Sequence, residues 1–326
     1  MAVCLVVACG STSGAPPGTS TRAAGTIPPP GTTTAAAASG STTGPLETTS
    51  SLSTSPPPVT QPDLVVGGDR PVTVRVPDDD DASRPAPFVL LLHGYQADGD
   101  SMDRYLRLGE RAVAAGMLFA APNGSVDRQG DRFWNATDAC CDVFGSGVDD
   151  EAYLLRVVAE VQARWSVDPR RIFVIGHSNG GFMAYRLACH QAATFAAVVS
   201  FAGADAVDPA TCRPSEPVTV LQVHGTGDTV VHYDGGTLIA APYPGARTSA
   251  QQWAVHDGCD AAPVRRSDAS HRVVPGRAPA IVDAWTGCRP GGHVELWTVD
   301  GASHVPDIAD TFPADLVTFL LAHPKP

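Results

Sequence analysis

The apolar run Ile172-Phe-Val-Ile175 leads directly into Gly176-His-Ser178-Asn-Gly180-Gly181, and then into a helix-patterned stretch over 182–189. No other feature limits the fold as tightly. A short β-branched run without polar interruption is what a strand buried on both faces requires. Glycines on either side of Ser178 let two backbone segments pass closely enough to hold a strained serine, with its hydroxyl turned out of the sheet. With 32 Gly in 326 residues the five-residue pattern alone carries little weight; its place between a strand and a helix is what carries the inference. Ser178 is therefore the candidate nucleophile.

Apolar runs and helical patterns alternate through the rest of the chain from residue 62. Residues 63–66 and 71–76 read as an opening hairpin. Buried strands are predicted over 87–92 and 117–121, separated by one helix over 101–115 that carries Met102, Tyr105, Leu106, Leu108 and Val113 at helical spacing. A helix is predicted over 150–165, strands over 196–201, 218–223 and 294–299, and a closing helix over 310–322. This alternation predicts an α/β domain with a mainly parallel sheet and helices on both faces. Ligands of such sheets bind beyond the carboxyl ends of the strands.

Residues 10–61 are mostly Gly, Ser, Thr, Pro and Ala, so burial there cannot offset the entropy of ordering; a disordered stalk is predicted. The reading is thus a signal-like segment over 1–9, the stalk, and one domain over 62–326. The first segment ends Val6-Val-Ala-Cys9 and is too short to span a bilayer. It is similar to the end of a bacterial lipoprotein signal, with Cys9 as the lipidated residue, and the lack of a basic stretch before it points to a start upstream of Met1. Any membrane attachment is through that lipid, which places the domain outside the cell or on its surface.

A formal charge of -12 without a basic patch argues against nucleic acid as a partner. The acidic run 78–81 reads as a solvated loop, and Asp149 with Asp150 as a helix N-terminus rather than a glycosidase acid pair. With Cys4 and Cys9 assigned to the signal, six of the 8 cysteines remain: Cys140, Cys141, Cys189, Cys212, Cys259 and Cys288. An even number in an exported domain points to disulfides, and six cysteines allow fifteen connectivities. Adjacent Cys140 and Cys141 are expected to take different partners. Pairing Cys259 with Cys288 leaves Cys189 and Cys212 to them. No C-x-x-C pair occurs to suggest zinc.

A serine hydroxyl needs a base within hydrogen-bond reach, and the base needs an acid to orient it. After this kind of elbow the chain order is serine, acid, histidine. Asp228, just past the strand over 218–223, is preferred as the acid over Asp205 and Asp234. His304, after the last strand, is preferred as the base over His232, His256, His271, His293 and His323. The oxyanion of a tetrahedral intermediate needs backbone donors, expected from the N–H groups of Asn179 and Tyr95, with Gln96 as the alternative to Tyr95. His93 and His224 read as loop-shaping residues.

The segments Leu91-Leu-His-Gly-Tyr95, Phe133-Trp-Asn-Ala-Thr-Asp-Ala-Cys-Cys141, Val148-Asp-Asp150, Gly176-His-Ser-Asn-Gly-Gly181, His224-Gly-Thr-Gly-Asp228 and Ser303-His304 together resemble the polyhydroxybutyrate depolymerase and feruloyl esterase group of α/β-hydrolases. The resemblance implies a serine esterase without metal or organic cofactor. Its triad would be Ser178, Asp228 and His304, with Trp134 and the Cys-Cys loop flanking the substrate cleft. Its substrate would be a polysaccharide-linked aromatic or acetyl ester, or a hydroxyalkanoate oligomer. Members of the group often carry Gly-His-Thr-Trp-Pro at the base, where this chain has Ser303-His-Val-Pro306 without the aromatic residue. Acyl transfer to a cell-envelope sugar and non-catalytic surface binding are the alternative functions on the same fold.

Overall fold

A computed structural model describes residues 64–326 except 79, 82 and 267–269. The signal-like segment, Cys9 and the stalk lie outside the described residues, as does Asp79 of the acidic run. The predicted opening hairpin is present as antiparallel β1 (Val65–Val66) and β2 (Val72–Arg75). β3 (Ala86–Leu92) is buried along its whole length. Helices α1 (Gly99–Leu106) and α2 (Leu108–Ala114) then lead to β4 (Leu118–Ala120).

One helix was expected over 101–115, and the structure has two. The break is at Arg107, whose backbone is left-handed at φ 54°, and the Asp103 carboxylate takes the amide of Gly109 at 2.6 Å. A side chain that captures a nearby amide competes with the helix ladder, which apolar spacing alone does not reveal.

A small hairpin follows, β5 (Ser125–Val126) with β6 (Arg132–Phe133), and then α3 (Asp150–Arg164), β7 (Val167–His177) and α4 (Asn179–His190). Asp149 caps α3 by accepting from Ala152 N–H at 2.9 Å, as read from the sequence. Asp150 is buried and acts differently, accepting from Arg70, Ser125 and the amide of Asn135. Next come β8 (Ala197–Phe201), β9 (Thr219–Gly225), a second hairpin of β10 (Gly235–Leu238) and β11 (Ala241–Pro244), and α5 (Ala246–His256). Strands β12 (Val264–Arg266), β13 (Ile281–Trp285) and β14 (Val294–Val299), with α6 (Phe312–Ala322), complete the chain.

The ten-stranded sheet runs β1-β2-β4-β3-β7-β8-β9-β14-β13-β12. Its six central strands, β4 to β14 in that order, are parallel, with antiparallel pairs added at both edges. Alternation along β3 divides the core. Phe88, Leu90 and Leu92 pack with α3, α4 and α5, whereas Val89 and Leu91 pack with α1, α2 and α6. Each of these five side chains is fully buried and contributes about 1.5–3 kcal/mol of apolar transfer. Because β3, β7, β9 and β14 are parallel, the loops after them open on one edge of the sheet, and every predicted site residue except Trp134 and the cysteines lies in or beside one of those loops.

Candidate active site

Ser178 sits at the tip of the turn between β7 and α4 with φ 52° and ψ -119°, a conformation that L-residues avoid and that persists only where the surroundings dictate it. Here they do. A Cβ added to Gly176 would lie 1.9 Å from the Gly180 carbonyl oxygen, and one on Gly180 would lie 2.3 Å from that of Leu92. The elbow closes only with glycine at these two places. The Ser178 amide donates to Phe201 O at 2.8 Å, which fastens the turn to the end of β8.

The three predicted residues meet. His304 Nε2 lies 2.8 Å from Ser178 Oγ, and His304 Nδ1 lies 2.7 Å from Asp228 Oδ2. Asp228 is buried, and its second oxygen accepts from Val230 N–H at 2.8 Å and Val231 N–H at 2.9 Å. An ionised carboxylate can only accept, so Nδ1 carries the imidazole proton and the Nε2 lone pair faces the serine hydroxyl. Burial opposes ionisation of Asp228, but hydrogen bonds from His224 and His304 outweigh it and hold the carboxyl well below the usual carboxylate range.

His224 does more than shape a loop. Gln222 Nε2 lies 3.0 Å from His224 Nδ1, so the proton of this buried ring is on Nε2, which donates to Val231 O at 2.8 Å and lies 3.3 Å from Asp228 Oδ2. Gln222 is in turn fixed by Tyr185 O–H at 2.8 Å. The sequence held a signal for this residue, a histidine four positions before the acid on a buried strand end.

Gly94 packs against the nucleophile: a Cβ there would lie 3.3 Å from Ser178 Cβ and 3.2 Å from His177 Nδ1. The amides of Tyr95 and Asn179 donate to no acceptor among the described residues, as an oxyanion pair requires. Gln96, the alternative donor, is engaged, because its N–H donates to Arg132 O at 2.9 Å. His93 is a loop-shaping residue as read. Its Nε2 accepts from Gly124 N–H at 2.9 Å and its Nδ1 donates to Gly94 O at 2.8 Å, while burial lowers its pKa to about 4.

Two expectations about the cleft wall need correction. Trp134 has 0% exposure and touches no solvent. Its indole N–H donates to His93 O at 3.0 Å, and its ring packs on His93 and Tyr153, so it supports the Gly94 loop from below. Asn179 fixes it there: the side-chain oxygen accepts from Trp134 N–H at 2.7 Å and the side-chain nitrogen donates to Trp134 O at 2.9 Å. Cys140 and Cys141 are also buried and are bonded to each other, contrary to expectation. The reason lies in their intended partners. Cys189, near the end of α4, and Cys212 come within 5.4 Å Cα to Cα and bridge one another, which leaves the neighbours to themselves. Cys259 pairs with Cys288.

Of the other acids, Asp205 is buried and pushed up to about 7, and it bonds to Ala206 N–H rather than to His304. His293 pairs with Glu295, and His271 stacks on Trp297 beside Asp315. Among the described residues, no group of three or more His, Cys, Asp or Glu side chains is placed to hold a metal ion.

The chain is similar to known proteins in sequence and in fold. A family model described as "Putative esterase" matches residues 65–274, and the match ends before His304. "Feruloyl esterase B" of Piromyces equi is 26% identical over 243 residues, which cover 72% of this chain and 42% of that protein. "Probable feruloyl esterase C" of Aspergillus niger is 31% identical over 182 residues, or 54% of this chain and 61% of that protein. The chain thus spans about half the length of these two relatives. The solved acetyl xylan esterase from Aspergillus awamori superposes with a TM-score of 0.55 at 15% identity, covering 77% of this chain and 94% of that one, a likeness of fold alone. The chain has the α/β-hydrolase fold and belongs to the putative esterase family.

Proposed function

We propose that this protein hydrolyses carboxylic esters through a Ser178 acyl-enzyme. The observation that carries the reading is the unbroken run of hydrogen bonds from Asp228 to His304 to Ser178, at 2.7 and 2.8 Å, ending on a serine in a strained elbow. In the first half of the reaction Ser178 Oγ attacks the ester carbonyl carbon while its proton passes to His304 Nε2. The carbonyl oxygen becomes an oxyanion, held by the N–H groups of Tyr95 and Asn179, each worth roughly 10²- to 10³-fold in rate. The C–O bond to the alcohol then breaks, His304 returns the proton to the departing oxygen, and the acyl group stays on Ser178. A water repeats the sequence and releases the acid. Asp228 keeps the imidazole in the required tautomer and stabilises its charged form.

The substrate class is an aromatic or acetyl ester on a polysaccharide; the names of the related feruloyl esterases support the aromatic ester, and the rest follows from the resemblance in sequence. Short hydroxyalkanoate oligomers use the same chemistry and belong in the same assay. Three disulfides in the described part support action outside the cytoplasm. Lipidation of Cys9 is part of the same proposal and rests on the sequence.

A fluorophosphonate probe, followed by peptide mass spectrometry, tests the reading. One adduct per chain on the Ser178 peptide is expected, absent in Ser178→Ala and much slower to form in His304→Ala. A wild-type chain that takes no label, or a Ser178→Ala chain that takes as much as wild type, contradicts it.

A further inference from the structure

Three side chains with no part in the reaction scheme converge on the segment that carries His304. His177 Nε2 lies 3.0 Å from His304 O, Tyr105 O–H donates to Pro306 O at 2.9 Å, and Arg107 Nη2 donates to Ile308 O at 2.8 Å. The accepting carbonyls are spaced by two residues. Burial alternates with them, since Pro306 is buried while Val305 and Asp307 are exposed. That alternation is the mark of a chain with one side turned toward the protein. The segment belongs to no strand, so its carbonyls are satisfied by side chains of the elbow strand and of the end of α1 where a neighbouring strand would otherwise supply amides. Arg107 also pairs with Asp310, and Ala309 N–H donates to Val273 O at 2.9 Å, which fixes the far end.

His177 is the central member. It is buried, with its ring centre 5.0 Å from that of His304, 5.2 Å from Phe201 and 5.8 Å from Tyr105. A carbonyl oxygen accepts at Nε2, so that nitrogen carries the proton. Nδ1 has no partner among the described residues and faces Gly94. Burial first, and then the neighbouring His304, lower the pKa of His177 to about 3. His177 therefore remains a neutral donor while His304 takes up and returns its proton.

We propose that His177, with Tyr105 and Arg107, forms a positioning clamp that sets the His304 imidazole over Ser178 by holding the carbonyls of residues 304, 306 and 308. The clamp is a statement about the fold, and its effect on rate rests on the ester-hydrolysis reading above. Two variants remove a donor and keep a ring: His177→Phe and Tyr105→Phe. His177→Gln restores a donor near the position of Nε2. Two measurements are needed on each, hydrogen exchange of the Ala309 amide, which is bonded to Val273 O at the far end of the segment, and kcat and KM on a soluble ester.

In both Phe variants this amide is expected to exchange at least about tenfold faster, with the remaining core protected as in wild type. In His177→Phe kcat falls roughly ten- to a hundredfold, the scale of a small misplacement of a catalytic group, with KM within about twofold. His177→Gln recovers most of that loss. Unchanged exchange in both Phe variants overturns the clamp. Faster exchange with unchanged kcat, or a Gln variant no better than Phe, overturns its positioning role. Should His177→Phe not fold, Tyr105→Phe decides by the same criteria. A wild-type chain inert on every ester refutes the hydrolase reading alone, and the exchange data still decide the clamp.

Discussion

Replacing Asp228 by asparagine alters little volume, yet the structure dictates which way the new amide must face. Val230 and Val231 donate their N–H groups to Oδ1 at 2.8 and 2.9 Å. If the NH₂ took that position, two amides would lose their acceptor, at about 1–3 kcal/mol each when buried. The amide oxygen therefore occupies the Oδ1 place, and the NH₂ points at His304 Nδ1, 2.7 Å away in the wild type. Two donors cannot share that contact. The cheaper relief is for His304 to move its proton to Nε2, where it donates to Ser178 Oγ and cannot accept the serine proton. The expected loss is that of a wrongly tautomerised triad, about 10⁴-fold in kcat/KM, or about 5 kcal/mol of transition-state stabilisation. Hydrolysis of p-nitrophenyl acetate and the rate of fluorophosphonate labelling should fall together, with the thermal midpoint showing that the variant is folded. An Asp228→Asn enzyme within tenfold of wild type on both readouts would refute the reasoning.

Asn179→Ala keeps the backbone donor expected at the oxyanion but removes both side-chain bonds to Trp134, leaving Trp134 N–H without a partner while its carbonyl retains Cys141 N–H at 3.3 Å. A destabilisation of about 2–4 kcal/mol by urea unfolding is expected, with a lower kcat because the Gly94 loop loses its support; a change under about 0.5 kcal/mol would contradict this. Asp257 is fully buried, and burial pushes its carboxyl from 3.8 up to about 7 despite the Val218 N–H bond. A raised carboxyl pKa leaves its stability contribution intact below about pH 4 and removes it as pH rises through about 7, by up to about 4 kcal/mol. Asp257→Asn should therefore gain on wild type by about 2–3 kcal/mol between pH 5 and pH 8, and parallel stability curves would count against the assignment.

Strands whose both faces are buried were legible as short runs dominated by apolar residues: 87–92 lies within β3, and the predicted 294–299 coincides with β14 although Glu295 and Thr298 stand in it. The elbow was legible because only glycine fits two positions to either side of Ser178, at 176 and 180, and the convergence of Asp228 and His304 on it because each follows such a strand at the carboxyl end. What the sequence concealed depends on contacts across the fold. The break at Arg107 follows from Asp103 reaching the Gly109 amide, a bond that apolar periodicity does not encode. The two small hairpins and α5 carry short or weakly patterned runs, and none was anticipated. Trp134 was expected at the cleft from the family resemblance alone, but the Asn179 side chain draws its backbone inward and the ring goes to the core. His177 lies within the motif itself, and its bond to a carbonyl 127 positions away is visible only once the chain is folded.

The central claim is that Ser178 forms and discharges an acyl-enzyme. Rapid-mixing hydrolysis of p-nitrophenyl acetate, set beside steady-state rates on methyl ferulate, p-nitrophenyl butyrate and a hydroxybutyrate oligomer, tests it with wild type and Ser178→Ala in parallel. A burst of one p-nitrophenol per chain, turnover of at least one ester in the panel, and loss of both in Ser178→Ala are predicted. Turnover that survives in Ser178→Ala, or a wild-type chain inert on every ester, would contradict the account.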